Sequence, residues 1–162
     1  MLYYGVSDKK NIKDLASKVC SAIGHGSNGF AVEMLVETCA AETLLAAVKD
    51  TTLYYAGAGV AQVDEGTFNW LKEKYQSHKL ARSIKKKLGV ELSKVSYNEL
   101  DFSPIISLIF ARLRYWAVPE AIPVTIEERA KYWKKHYNTS KGKGSPEEYL
   151  ERCEASGVGE LF

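Results

Sequence analysis

Apolar positions recur at helical spacing along most of the chain. Ile12, Leu15, Ala16, Val19, Cys20 and Ile23 fall on one face of a helix that Ser7 can cap and Gly24 ends. After a loop over Gly24–Gly29, a second helix is expected from Phe30 to Leu45. It is apolar on most sides, through Phe30, Ala31, Met34, Leu35, Val36, Cys39, Ala40 and Ala41. A helix apolar nearly all round belongs at the centre of a domain, yet this one carries Glu33, Glu37 and Glu42. The stretch Lys49–Gly59 then breaks the pattern and reads as irregular or short-strand chain.

Helical spacing returns at Asp64, which can cap a helix to about Tyr75 with Phe68, Leu71 and Tyr75 on its apolar face. A basic helix follows over about His78–Leu88, and a polar connection runs from Gly89 to Asp101. Ser103 and Pro104 open a strongly apolar helix to about Trp116, with proline at the permitted first position. Pro119 and Pro123 bracket a rigid turn. Thr125-Ile-Glu-Glu128 and Ser145-Pro-Glu-Glu148 have the form of capping boxes, opening helices to about Tyr137 and Glu154. The pattern predicts a mainly α fold with a small irregular or β-containing region around residues 48–62. It predicts one domain over residues 1–154, followed by a short tail over 155–162 that frays.

Composition narrows this picture mostly by exclusion. A chain of 162 residues that is 46% hydrophobic has room for a real core and is too apolar for disorder. The longest apolar run, Pro104–Ala111, falls well short of the roughly 18 residues of a membrane span. Cys20, Cys39 and Cys153 make no metal pattern and read as reduced thiols, Cys39 as core. His25, His78 and His136 have no metal-ligand spacing, so neither metal nor cofactor is expected. A net charge of +2 is too small to argue for nucleic acid. The basic clusters Lys79–Lys87 and Lys131–Lys143 read as solvated helix faces or as surfaces attracting an anionic polymer. Met1–Asp8 has no basic region followed by an apolar core, so synthesis in a cytoplasm without a signal peptide is expected.

The chemistry concentrates where the buried helix meets the irregular region. Glu42-Thr43 stands near a helix end, and Gly57-Ala-Gly-Val-Ala-Gln-Val-Asp64 follows. Burial and the negative end of a helix both favour the protonated carboxyl, which is what a general acid needs near neutral pH. Glycoside cleavage requires such an acid to protonate the leaving oxygen. Gly57, Ala58 and Gly59 allow a polymer to approach the backbone, and Gln62 can both donate to and accept from a sugar. Glu37 is a rival acid, also followed by threonine but on a different face of the helix. Asp64 reads either as a helix cap or as a second carboxylate that positions water, with Glu65 a weaker candidate for that role. Tyr54 and Tyr55 read either as stacking platforms for sugar rings or as packing over the turn.

Glu42-Thr43 followed by Gly57-Ala-Gly-Val-Ala-Gln62 resembles the lysozyme and lytic-transglycosylase superfamily, and Gln62-Val-Asp64 is similar to the Gln-Val-Asp of goose-type lysozymes. Tyr137-Asn138, with Gly142 and Gly144 after it, loosely resembles the Tyr-Asn-Ala-Gly motif of lytic transglycosylases. Tyr115–Pro123 and Tyr132–Thr139 look like phage-encoded lysozyme-like proteins. The resemblance implies a lysozyme-like helical fold and cleavage of the β-1,4 bond between N-acetylmuramic acid and N-acetylglucosamine in peptidoglycan. It implies Glu42 as general acid/base, with Gln62, Thr43, Gly59 and Tyr137 at the sugar site. Such an enzyme, made without an export signal, would reach the cell wall through a phage lysis pore, a virion or a secretion machine. Val60-Ala61 stands where the family has Leu-Met. That departure keeps open a virion or wall-binding protein that retains the fold without the activity.

Overall fold

A computed structural model describes residues 1–49, 57–140 and 142–162. The chain is mainly helical, with seven α-helices and no strand among the described residues. These are α1 (Lys9–Ile23), α2 (Ala31–Thr43), α3 (Glu65–Tyr75), α4 (Lys79–Leu88), α5 (Pro104–Trp116), α6 (Ile126–Trp133) and α7 (Pro146–Ser156). None of them is long and apolar enough to cross a membrane.

Local signals in the sequence account for most helix starts. The side chains of Asp64, Ser103, Thr125 and Ser145 each accept from an amide in the first turn of the helix they precede. The cap of α1 is Asp8 rather than Ser7, its carboxylate accepting from the Asn11 amide at 2.8 Å. The box at Thr125 is half formed. Thr125 Oγ1 accepts from the Glu128 amide, while the Glu128 carboxylate pairs with Lys131 at 3.3 Å. After α6 the backbone continues as a π-turn over Lys134–Asn138, so the helical path reaches Tyr137 in a wider coil than the α-helix expected there.

Helix α2 lies at the centre, with α1, α5 and α7 packed on it. Its burial on nearly every side follows from its composition, and of its residues only Glu33 and Glu42 are partly exposed. A buried helix must find a partner for each polar group. Thr38 donates to the Met34 carbonyl at 2.6 Å and shares a hydrogen bond with the Tyr115 hydroxyl at 2.8 Å. Glu37, only 2% exposed, is met by Arg129 of α6 in a two-pronged pair, Nε to Oε1 at 2.8 Å and Nη2 to Oε2 at 2.7 Å. The hydroxyl of Tyr149 in α7 donates to the same Oε1 at 2.7 Å. This cluster binds α6 and α7 to α2.

The C-terminal segment is docked where the sequence predicts fraying. Helix α7 runs through to Ser156, Val158 is buried, and a 3₁₀ turn spans Val158–Leu161. Lys9 of α1 donates to the Ser156 carbonyl at 2.8 Å, and the Lys13 ammonium lies 4.5 Å from the centre of the Phe162 ring. All three cysteines are buried free thiols. Burial pushes the Cys20 thiol up to about 11 and the Cys153 thiol to about 12.

Removing one partner of a buried ion pair leaves the other charge without compensation. Arg129→Ala should therefore lower unfolding stability by about 3–5 kcal/mol, read from the denaturant midpoint. The exposed pair Lys131–Glu128, probed by Lys131→Ala, should change it by less than about 1 kcal/mol.

Candidate active site

The turn after α2 sets the geometry of the site. Leu44, Leu45 and Ala46 all have positive φ, at 50°, 55° and 68°. Left-handed backbone costs roughly 1–2 kcal/mol at each non-glycine residue, and here it is offset by local bonds. The Leu44 amide reaches the Ala40 carbonyl, the Leu45 amide reaches Cys39, and the Ala46 amide donates to Thr43 Oγ1 at 3.1 Å. The effect is to end α2 abruptly just after Glu42 and Thr43.

Facing this end is a tight turn over residues 58–63, closed by an antiparallel bridge between Ala58 and Val63. Neighbours on every side hold it. Thr43 Oγ1 donates to the Val60 carbonyl at 2.8 Å, Asp101 Oδ1 accepts from the Gly59 amide at 2.8 Å, and the Tyr97 hydroxyl donates to the Val63 carbonyl at 2.8 Å. The Tyr137 hydroxyl donates to the Ala61 carbonyl at 2.7 Å. Gln62 closes the turn, its backbone amide donating to the Gly59 carbonyl at 3.1 Å, with φ 51°. Its side-chain amide donates to the Gly59 carbonyl at 2.9 Å and to the Tyr4 hydroxyl at 3.2 Å.

Between these parts lies a cleft of about 800 Å³ whose lining includes Glu42, Lys49, Gln62, Asp64, Arg114 and Tyr137. The structure thus brings four of the sequence-derived site residues together: Glu42, Gln62, Asp64 and Tyr137. Glu42 is half-buried on the cleft wall, and the indole N–H of Trp133 donates to its Oε2 at 3.0 Å. Glu37 lies in the core, locked by Arg129 and Tyr149, and does not line the cleft.

Two expected sugar contacts turn out to be internal. Thr43 is 1% exposed, and its hydroxyl ties α2 to the turn instead of facing the cleft. Gly59 faces α5: a Cβ there would lie 2.5 Å from both the Leu100 carbonyl oxygen and Ser107 Oγ. Gly57 is needed for a similar reason, because a Cβ would lie 2.3 Å from the Gln62 carbonyl oxygen. The small residues of this segment admit the protein's own backbone rather than a polymer. Tyr54 and Tyr55 lie outside the described residues.

Asp64 takes the first of the two readings given to it, the helix cap, and it also faces the cleft. It caps α3, accepting from the Thr67 amide at 2.9 Å, and it stands on the cleft wall. Its other oxygen accepts from the Thr67 hydroxyl at 2.7 Å and from Arg114 at 3.2 Å. Partial burial works to raise this carboxyl, but the Thr67 bonds and then Arg114 outweigh it and hold it below its ordinary value. Asp64 is therefore a carboxylate at neutral pH.

Two functional neighbours escaped the sequence reading. Arg114, placed by α5, donates to Asp64, to the Thr67 hydroxyl at 2.8 Å, to the His136 carbonyl at 3.2 Å and to the Tyr137 carbonyl at 2.9 Å. Its guanidinium also lies 4.9 Å from the centre of the Tyr137 ring. Trp133, the last residue of α6, supplies the indole on Glu42. Their only sequence signal is position, an arginine at the polar end of an apolar helix and a tryptophan four residues after Arg129. Burial, followed by the nearby Glu42 charge, pushes the Tyr137 phenol well above its ordinary value, so its hydroxyl stays a donor. Burial likewise raises the Cys39 thiol well above its ordinary value, which removes it as a nucleophile.

No group of His, Cys, Asp and Glu among the described residues could hold a metal ion. Comparison of the chain with protein-family models, curated proteins and solved structures returns no match.

A carboxyl lowered in the folded state adds stability above its unfolded value, 3.8 for Asp64, and loses that contribution as pH falls below it. Asp64→Asn should therefore be less stable than the parent at about pH 7, and the gap should close as pH falls below 3.8. Chemical denaturation of both proteins across this range checks the sign.

Proposed function

We propose that this protein is a peptidoglycan-cleaving glycosidase acting on the β-1,4 bond between N-acetylmuramic acid and N-acetylglucosamine, with Glu42 as general acid/base. The observation that carries the reading is the contrast between the two glutamates of α2. Glu37 is locked in the core by a buried arginine and a tyrosine, while Glu42 stands on the wall of the cleft that Gln62 and Tyr137 also line, held there by the Trp133 indole. The resemblance of Glu42-Thr43 and Gly57–Asp64 to the lysozyme and lytic-transglycosylase superfamily supports it.

A second line of support is where the backbone is strained. Among the described residues, the non-glycine positions with positive φ are Tyr4, Leu44, Leu45, Ala46, Gln62 and Thr139. Gln62 and Thr139 line the cleft, Tyr4 touches Gln62, and the other three end the helix that carries Glu42. Strain of this kind persists where the surroundings over-determine it, and it clusters at functional sites.

In this reading Glu42 gives its proton to the bridging oxygen, and the bond from that oxygen to C1 of the muramic acid breaks. The electron pair leaves with the N-acetylglucosamine hydroxyl. The C6 hydroxyl of the same muramic acid then bonds to C1, and Glu42 takes back the proton, leaving a 1,6-anhydro end. Asp64 favours this branch over water attack, because the bonds from Thr67 and Arg114 already engage both of its oxygens. Synthesis in the cytoplasm and delivery to the wall by a phage or secretion assembly complete the proposal.

Purified protein should clear a gel of embedded cell walls, and Glu42→Gln should lose about 10²–10⁴-fold of that activity. Mass spectrometry of the products should find anhydro ends, whereas reducing ends would make the enzyme a hydrolase. Failure to clear walls from several bacteria would leave a binding protein that kept the cleft. Clearing that survives Glu42→Gln in a folded protein would remove Glu42 as the acid.

A further inference from the structure

Two residues before Arg114, and so on roughly the opposite side of α5, Arg112 is only 2% exposed. It lines a separate cavity of about 180 Å³ together with Ser27, Tyr115, Trp116, Glu120 and Tyr132. None of the residues lining this cavity lines the cleft. A cavity of about 150 Å³ is enough to hold a benzene, so the space suits one small organic group.

A buried guanidinium needs a counter-charge. Among the described residues Arg112 joins no ion pair. Its Nε donates to the Gly24 carbonyl at 2.9 Å, at the C-terminal end of α1. A helix end contributes about half a negative charge, which leaves the guanidinium in excess. The Cys20 thiol beside it is neutral, since burial pushes it up to about 11. The Trp116 ring, its centre 5.5 Å from the guanidinium, adds only the attraction of an aromatic face. No side-chain nitrogen of Arg112 is both buried and unpaired, so its remaining donors open on the cavity.

Contacts between distant segments hold the walls in place. The Asn28 side chain donates to the Ile122 carbonyl at 2.9 Å, joining the loop after α1 to the turn after α5. The Tyr132 hydroxyl donates to the Glu120 carbonyl at 2.9 Å. Glu120 is the one acidic residue on the lining, and its carboxylate is taken by His136 Nε2 at 2.7 Å. The cavity is thus a preformed space with a cation at one end and aromatic surface along its sides. Its complement is a carboxylate, which a guanidinium can hold through two parallel N–H bonds, on a short apolar body. A phosphate has no apolar part to set against Tyr115 and Trp116.

We propose that the Arg112–Trp116 cavity binds a carboxylate carried on a short apolar body, either as a free monocarboxylic acid or as the glutamate side chain of a partner polypeptide. Arg112 grips the carboxylate, and the aromatic walls cover the carbons behind it. The site stands apart from the cleft and does not rest on the glycosidase reading.

The test is a titration of the full isotope-labelled chain, followed by nuclear magnetic resonance at constant ionic strength. The probes are propionate, its uncharged match propionamide, and N-acetylglutamate α-methylamide. At least one carboxylate should shift the amides of Gly26, Ser27 and Glu120 saturably, and propionamide should not. Tighter binding of propionate assigns the site to free acids, and tighter binding of the glutamate derivative assigns it to a polypeptide. Arg112→Gln should weaken binding by about tenfold or more. Because this change also removes the bond to Gly24, Ala121→Trp supplies a second arm. It fills the cavity from an exposed lining position, leaves Arg112 in place, and should weaken binding equally with an unchanged circular dichroism spectrum. No saturable shift with either carboxylate, equal shifts with propionamide, or unchanged affinity in both variants overturns the site.

Discussion

The pair between Glu37 and Arg129 sets the register on which the site depends. It is bidentate, buried and shared with Tyr149, so it fixes α6 against α2 in rotation as well as in distance. One helical turn beyond Arg129 is Trp133, and about one and a half turns beyond Glu37 is Glu42. With the first contact fixed, the second follows, and the indole N–H arrives on Glu42 at 3.0 Å. The π-turn that continues α6 then carries Tyr137 under the Gly-rich turn, where its hydroxyl takes the Ala61 carbonyl. Replacing this ion pair by apolar side chains of similar volume could preserve stability, but it would forfeit the angular precision that a two-pronged contact supplies.

Arg114 does the corresponding work on the other wall. It joins the start of α3, through Asp64 and Thr67, to the carbonyls of His136 and Tyr137 in the π-turn. Those carbonyls belong to a wide coil whose backbone groups are poorly served by regular helical bonding, and a guanidinium with several donors can satisfy more than one of them. Strain and cross-links are thus concentrated around one space. The left-handed residues at 44–46, 62 and 139 bend the chain away from its easy paths, and long-range side-chain bonds hold it there.

The helices were legible in the sequence because their signals are local. Period, cap residue and terminal glycine lie within a few positions of each other, so α3, α5 and α7 begin where Asp64, Ser103 and Ser145 indicate. The site was legible only in part. Glu42, Gln62, Asp64 and Tyr137 do share a cleft, but the contacts that define it join residues far apart in the chain, such as Glu42 with Trp133 and Asp64 with Arg114. Thr43 and Gly59 were misread because a small residue beside a site looks the same in sequence whether it faces solvent or the core. Only the positions of Val60 and Ser107 show that both face inward. The fraying assigned to the tail failed similarly, since Lys9 and Lys13, which hold it, are in the first helix.

Two glutamates on one buried helix therefore have separate fates for a physical reason. Glu37, held by two N–H groups of the Arg129 guanidinium and by the Tyr149 hydroxyl, is given over to joining α6 and α7 to α2 in the core. Glu42 instead lies on the cleft wall, where the Trp133 indole N–H fixes its orientation. General acid/base chemistry needs a carboxyl that is both positioned and reachable from the cleft. On α2 the two glutamates are linked, since the ion pair that holds Glu37 in the core also brings Trp133 to Glu42.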